Sequence, residues 1–257
     1  MDIARRLGRI CTVMIMALMV LTTGPAWSQS CALPGWDGPA TPSGVINSYH
    51  AGSGSPAAGA TSISVASISG QRSNTRSLRA GDLILIMQMQ DSSTPASAGL
   101  HEYAQIVAVS GTTLSLSRPL VNSYTRSMST SAVRNWQVVW VPQYSAAVIS
   151  GTVSADRWTI NTSSGDATGG VVALDVAGSL AINGTITAAG AGFRGGAGVH
   201  GTGSRAGGTY TDAHYNFTTT VAALNGAVKG EGIEGTPFVV FDGTATPVNY
   251  LALLGQG

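Results

Sequence analysis

Apolar and polar positions alternate through the first two-thirds of the chain. Asp82–Gln90 reads DLILIMQMQ, with Leu83, Leu85, Met87 and Met89 on one face; the other face changes from Ile84 and Ile86 to Gln88 and Gln90. A period of two is the mark of a strand, here one buried on both sides at its start and half-exposed at its end. Thr61–Ser67 places Ile63 and Val65 on one face. Glu102–Val109, the Ser110-Gly111 turn and Thr113–Ser117 read as a hairpin. Trp136–Val141 stops at Pro142, and Ala146–Val153 is a further strand candidate. No helix-period window separates these runs, so residues 61–155 are expected to form a small β-sandwich or barrel, with Arg72–Arg79 and Asp91–Gly99 as its longer loops. Residues 29–60, with Pro34, Pro39, Pro42 and Pro56 among glycines, read as an extended loop-rich segment in which Val45–Tyr49 offers one short strand.

The pattern changes near residue 165, and residues 156–257 are expected to be an incomplete, Gly-rich β-solenoid. In Gly169–Gly190 the apolar positions Val172, Leu174 and Val176, then Leu180 and Ile182, then Ile186 and Ala188 alternate inward, with turns at Ala177–Ser179 and Asn183-Gly184. Three short strands with small residues at the corners resemble one rung of a solenoid, a unit that needs stacked neighbours to bury its edges. A plain hairpin on the preceding domain is the alternative. The predicted fold class is therefore all-β.

The first thirty residues have a separate grammar. Arg5, Arg6 and Arg9 precede the apolar run Ile10–Leu21, which leads into the small and polar Thr22–Ser30. These are the three regions of a secretory signal peptide, expected over residues 1–28 with cleavage after Ser28. A membrane span needs about 20 apolar residues, and this run is shorter, so no stable span is expected after cleavage.

Charge and cysteine content narrow the class. Charged residues are 10% of the chain and the formal net charge is +1, with Lys229 the single lysine. Such a chain lacks the basic stripe that displaces counterions from nucleic acid. The hydrophobic fraction of 44% is enough for a real core, which argues against disorder. Without the leader the balance turns slightly acidic, and Cys31 is left alone, too few thiols for a thiolate metal site.

The motifs that touch chemistry do not assemble into a site. Gly190-Ala-Gly192-Phe-Arg-Gly195 matches GxGxxG, but GAGVHGTGS follows it where a dinucleotide fold needs a helix. His101-Glu102 opens like a zinc-protease HExxH, yet Gln105 stands at the second His position and the segment alternates as a strand. Asp166, Asp175, Asp212, Glu231, Glu234 and Asp242 are the acids that a solenoid hydrolase could pair, a reaction that places two carboxyls within about 10 Å. Trp36, Trp136, Trp140 and Trp158, with Tyr103, Tyr124 and Tyr144, could make a sugar-stacking platform; Trp136 and Trp140 share a strand face, though a small β-domain uses such a pair as core more often. No catalytic, cofactor-binding or metal-ligating residues are assigned on this reading, and no cofactor is expected.

A resemblance rests on ordered blocks: Gly35–Ala40 (GWDGPA), Ser43–Tyr49 (SGVINSY), Ala80–Asp91 (AGDLILIMQMQD), Glu102-Tyr103, Val141–Ser145 (VPQYS), Gly169–Gly178, Gly192–Gly196 and Lys229–Pro237. This string resembles the N-terminal part of large bacterial secreted, adhesin-like surface proteins with Gly-rich segments and repeated β-sandwich domains. The resemblance implies export from a Gram-negative cell and a secreted or cell-surface location. It also implies a truncated head of a longer protein, and it brings no catalytic residues with it. The expected role is non-enzymatic structural display or adhesion, with surface glycans or other cell-surface proteins as partners; a glycan-active or carbohydrate-binding β-solenoid protein is the alternative.

Overall fold

The computed structural model describes residues 33–129, 132–161, 164–193 and 232–233, together with the strand segments 239–241 and 247–249. Among these residues the chain is all-β, and its one helical element is the short 3-10 turn Pro95–Ser97. Two β-assemblies coexist: a closed antiparallel barrel and a stack of short parallel strands. The order along the chain is not barrel first and stack second.

The described part of the chain begins in the stack. β1 (Gly38–Ala40) and β2 (Gly44–Val45) form its first rung. The chain then enters the barrel through β3 (Tyr49–Ser53), β4 (Ser62–Val65), β5 (Leu83–Asp91), β6 (His101–Ser110) and β7 (Thr113–Leu116). β8 (Ser127–Ser129) and β9 (Ala132–Val141) complete it. Six of these strands close in the order β3-β4-β7-β6-β5-β9, because β9 returns to pair with β3, Tyr49 opposite Val139; β8 extends β9 as a hairpin. Closure leaves the barrel without a free edge, the usual answer to the exposed hydrogen-bonding groups of an open sheet.

Past Pro142 the chain returns to the stack. β10 (Gln143–Ile149) lies parallel to β1, and β11 (Thr152–Ser154) lies parallel to β2. The hairpin β12 (Thr159–Ile160) and β13 (Ala167–Thr168) interrupts the path. The third rung is β14 (Asp175–Val176), β15 (Leu180–Ile182) and β16 (Thr185–Thr187), stacked in parallel on β10 and β11. A separate antiparallel pair joins β17 (Val239–Phe241) to β18 (Pro247–Asn249). The strand expected over Val45–Tyr49 is thus two elements in different assemblies, and the one expected over Ala146–Val153 belongs to the stack and breaks at Ser150-Gly151. The solenoid grammar does not start at residue 156: two of the three rungs precede it.

The core follows from the alternation. Ile84 and Ile86 point into the barrel with Ile63, Val65, Ile106, Leu114, Val138 and Trp136. Leu83 and Leu85 point outward yet are buried, because Tyr49, Val139, Val141 and Ala173 cover them. The end of β5 reverses the expectation of a half-exposed polar face. Gln88 and Gln90 are 1% and 0% exposed and lie inside, whereas Met87 and Met89 are only partly covered. Buried amides are tolerated where their donors and acceptors are satisfied, and these are.

Gly169–Ala173, expected as strand, runs without ladder partners. Side chains replace the ladder: Gln137 Nε2 donates to Gly169 O at 2.9 Å while its Oε1 accepts from Gly169 N at 2.9 Å. Asn47 Nδ2 donates to Ala173 O at 2.6 Å and its Oδ1 accepts from Ala173 N at 3.1 Å. The Tyr49 hydroxyl donates to Val171 O at 2.6 Å. Three buried polar side chains on or just before the barrel strands therefore strap this segment to the barrel wall, satisfying backbone groups that burial would otherwise orphan.

Candidate functional site

The most polar buried region lies where β5 ends and β9 begins. Gln88 Nε2 donates to Thr125 O at 2.8 Å and to Gln90 O at 2.9 Å, and its Oε1 accepts from Thr125 N at 2.8 Å. Asn135 Nδ2 donates to Gln90 Oε1 at 3.0 Å. The remaining Gln90 donor reaches Gly232 O at 3.1 Å, and Asp91 N donates to Ile233 O at 2.7 Å. A dipeptide from far along the chain is thereby pinned to the barrel mouth.

Charge surrounds this network. Arg126 bridges the Asp166 carboxylate at 2.8 Å and Ser164 O at 3.1 Å, and Ser164 Oγ donates to the same carboxylate at 2.6 Å. Asp91 accepts from Ser93 N and Thr94 N at 3.0 and 2.9 Å and faces Arg134 at 3.4 Å, while Arg134 also donates to the Ser93 hydroxyl. These acids are held by cations and loop amides rather than by one another, the arrangement of a clamped loop cluster rather than of paired acid–base catalysts.

Of the other described acids, Glu102, Asp82 and Asp156 also hold loops. Glu102, 8% exposed, accepts from Val121 N, Asn122 N and the Tyr124 hydroxyl at 2.9, 2.9 and 3.1 Å, so the neighbour of His101 serves a turn, not a metal. Tyr124 is pushed up from its ordinary pKa by burial, with the Glu102 charge adding to the shift. Asp82 takes two hydrogen bonds from Arg76, at 2.6 and 2.8 Å, and one from Arg79 N at 2.8 Å. Asp156 accepts from the Ser73 hydroxyl at 2.6 Å. Asp175 sits on β14, in register with Gln143. Asp212, Glu231, Glu234 and Asp242 lie outside the described residues, as does Gly195 of the GxGxxG match; Gly190 of that match sits in a turn with φ of 69°. Among the described residues, no three His, Cys, Asp or Glu side chains are grouped to hold a metal ion.

His50 is buried in the barrel wall, with Ser67 O at 3.1 Å from Nδ1 and Ser48 Oγ at 3.0 Å from Nε2. The carbonyl can only accept, so Nδ1 carries the proton. Burial, opposed by the Ser67 bond and reinforced by the nearby Arg76, lowers the His50 pKa to about 4. The ring is a neutral structural element at neutral pH.

Trp136 and Trp140 take the core role expected of such a pair and form no sugar platform. Trp136 is 0% and Trp140 8% exposed. Trp136 plugs the barrel, packs with its ring tilted against Tyr124 at 5.8 Å between centroids and donates from Nε1 to Gly54 O at 2.9 Å. Trp140 lies beneath the Arg76 guanidinium at 3.8 Å. The alternation that put both on one face was right, but the face is the barrel interior. The exposed aromatics among the described residues are Tyr103 on β6, 46% accessible, and Trp36, 51% accessible, in the turn before β1; the Trp36 indole leans toward Gly81, and the neighbouring Asp37 stands 3.9 Å from the Arg79 guanidinium.

No protein-family model and no curated protein matches the chain. Among the solved structures similar over part of it are three tailspikes. The tailspike protein gp49 of Pseudomonas phage LKA1 shares 23% identity over 43% of this chain and 18% of its own, with a TM-score of 0.25. The Gp54 tailspike of Acinetobacter baumannii bacteriophage AP22, solved with A. baumannii capsular saccharide, shares 14% over 55% of this chain and 23% of its own, with a TM-score of 0.27. The Pseudomonas phage phi297 tailspike gp61 shares 12% over 55% and 20%, with a TM-score of 0.26. The chain thus spans under a quarter of each of these proteins.

Proposed function

We propose that the chain is an exported, non-enzymatic, adhesin-like surface protein, the N-terminal part of a longer one, in which the parallel stack is a stalk and the barrel a head displayed from it. The observation that carries this reading is the insertion: β1–β2 and β10–β11 pair as adjacent rungs although the whole barrel lies between them in sequence. A stack of this kind lengthens by adding rungs without disturbing a module inserted in one of its turns. The described carboxylates support the same reading, because Asp37, Asp82, Asp91, Glu102, Asp156 and Asp166 each hold a loop or a cation. The Arg-rich leader and its apolar run supply the route out of the cell.

Expression in a Gram-negative host, followed by fractionation and N-terminal sequencing, tests the reading. The expected product begins at Gln29 and lies in the periplasm or on the surface; a full-length product kept in the cytoplasm with its leader intact overturns it.

A second reading, glycan contact, is favoured by the exposure of Trp36, since an indole face takes the apolar side of a sugar ring while neighbouring Asp37 and Arg79 can bond its hydroxyls. Titration with purified surface polysaccharide should shift tryptophan fluorescence, and Trp36→Ala should abolish the shift. A shift that survives this substitution removes the reading.

A further inference from the structure

The third rung is built like the second but is uncovered. In the second rung Ala147, Ile149 and Val153 are 2%, 0% and 0% exposed. Their register partners in the third, Leu180, Ile182 and Ile186, are 42%, 52% and 38% exposed. Among the described residues β15 and β16 pair on one side only, with β10 and β11. Identical backbone positions thus carry apolar side chains that are buried where a rung lies above them and bare where none does. An unpaired parallel edge with an apolar inner column is a template for one more strand.

The sequence of the rungs says what fits there. Ile149-Ser-Gly-Thr-Val-Ser154 recurs as Ile182-Asn-Gly-Thr-Ile-Thr187, and the shared glycine is required: a β-carbon on Gly184 would lie 2.0 Å from Gly151 O. The same frame appears a third time as Leu224-Asn-Gly-Ala-Val-Lys229, within Val221–Lys229, which lies outside the described residues. Aligned on the glycine, Ala222, Leu224 and Val228 fall over Leu180, Ile182 and Ile186, and Gly226 falls over Gly184. Every inward position is apolar, and the corner again has no side chain.

We infer that the open edge of β15 and β16 is the docking surface for residues 221–229 of this chain, which add a fourth parallel rung in the register Leu224 over Ile182. This concerns the stalk of the reading above and stands whether or not the protein is displayed on a cell.

Cross-linking tests it in the full chain with Cys11 and Cys31 replaced by Ser. Neighbouring parallel strands lie about 4.8 Å apart, within disulfide reach. Ile182→Cys with Leu224→Cys should oxidise to a disulfide within one chain, found by the mass of the linked peptides. The one-residue shift, Ile182→Cys with Asn225→Cys, turns the second thiol to the opposite face and should link about tenfold less. Equal linking of both pairs, linking between two chains, or no linking overturns the inference. Hydrogen exchange gives an independent measure. Leu224→Asp should speed exchange of the 180–187 amides about tenfold or more while leaving β5 and β9 unchanged; unaltered exchange at 180–187 overturns it as well.

Discussion

The barrel and the parallel stack solve one problem in opposite ways. Strands up to ten residues long wrap the barrel into a closed ring with no edge, and its interior fills with Ile84, Ile86, Val138 and Trp136. The stack uses strands of two to seven residues, and each rung is completed only by the next. The barrel therefore closes its own edges, whereas the stability of the stack is a sum over neighbours that can be extended or cut. A module that closes its own edges can be inserted into one whose edges are closed only by its neighbours.

The difference should appear first in the core. Trp136→Ala empties the centre of the barrel and leaves the Gly54 carbonyl without its indole donor, so a loss of about 3–5 kcal/mol is expected in urea unfolding. A loss below about 1 kcal/mol would mean that the barrel is not the stable half. Acid should act next, and on the barrel alone. The unfolded chain binds a proton at His50 near the ordinary value of 6.5, while the folded ring takes it only near 4. Stability from this site is therefore complete above about pH 6.5 and lost as pH falls toward 4, by on the order of 3 kcal/mol. His50→Gln should flatten that part of the pH profile of the urea midpoint.

The stack should respond to a smaller change at one corner. Gly184→Ala drives a methyl into Gly151 O and should cost about 1–3 kcal/mol. Hydrogen exchange should place that loss in 175–187 and leave β5 and β9 protected; equal loosening of both would show that the two assemblies unfold as one. The smallest effect is expected at Val107, 53% exposed on the outer wall of β6, where Val107→Thr should stay within about 0.5 kcal/mol.

The two halves also differed in how far their sequence disclosed them. The barrel strands pair mostly with near neighbours, so period-two runs such as Leu83–Asp91 and the Ser110-Gly111 turn located most of them. The closing strand Tyr49–Ser53 was the exception, since HAGS carries no alternation; Gly52 is there because a β-carbon would stand 2.1 Å from the Trp136 ring. The stack hides its pairing at a spacing of about 33 residues between β10–β11 and β15–β16, with the longer barrel insertion before that. Reading local alternation alone assigned the Ser150-Gly151 corner to a continuous strand. Aligning Ile149–Ser154 with Ile182–Thr187 would have exposed the rung. At the site, Gln88 and Gln90 looked like the solvent side of a strand, because polarity alone cannot reveal that Thr125, Asn135 and Gly232 lie within hydrogen-bonding reach.

The β3–β9 pairing has a consequence for the order of events during folding. Residues 45 and 143 are far apart along an unfolded chain, and bringing such distant points together carries an entropic penalty that grows with the length between them. Barrel closure sets Tyr49 against Val139, and Trp140 N donates to Ser48 O at 2.9 Å. Once the ring shuts, the chain ends leaving it are already side by side and in register for β1 to meet β10. The first two rungs then assemble as a local event, so the inserted barrel acts as the clasp that starts the stack.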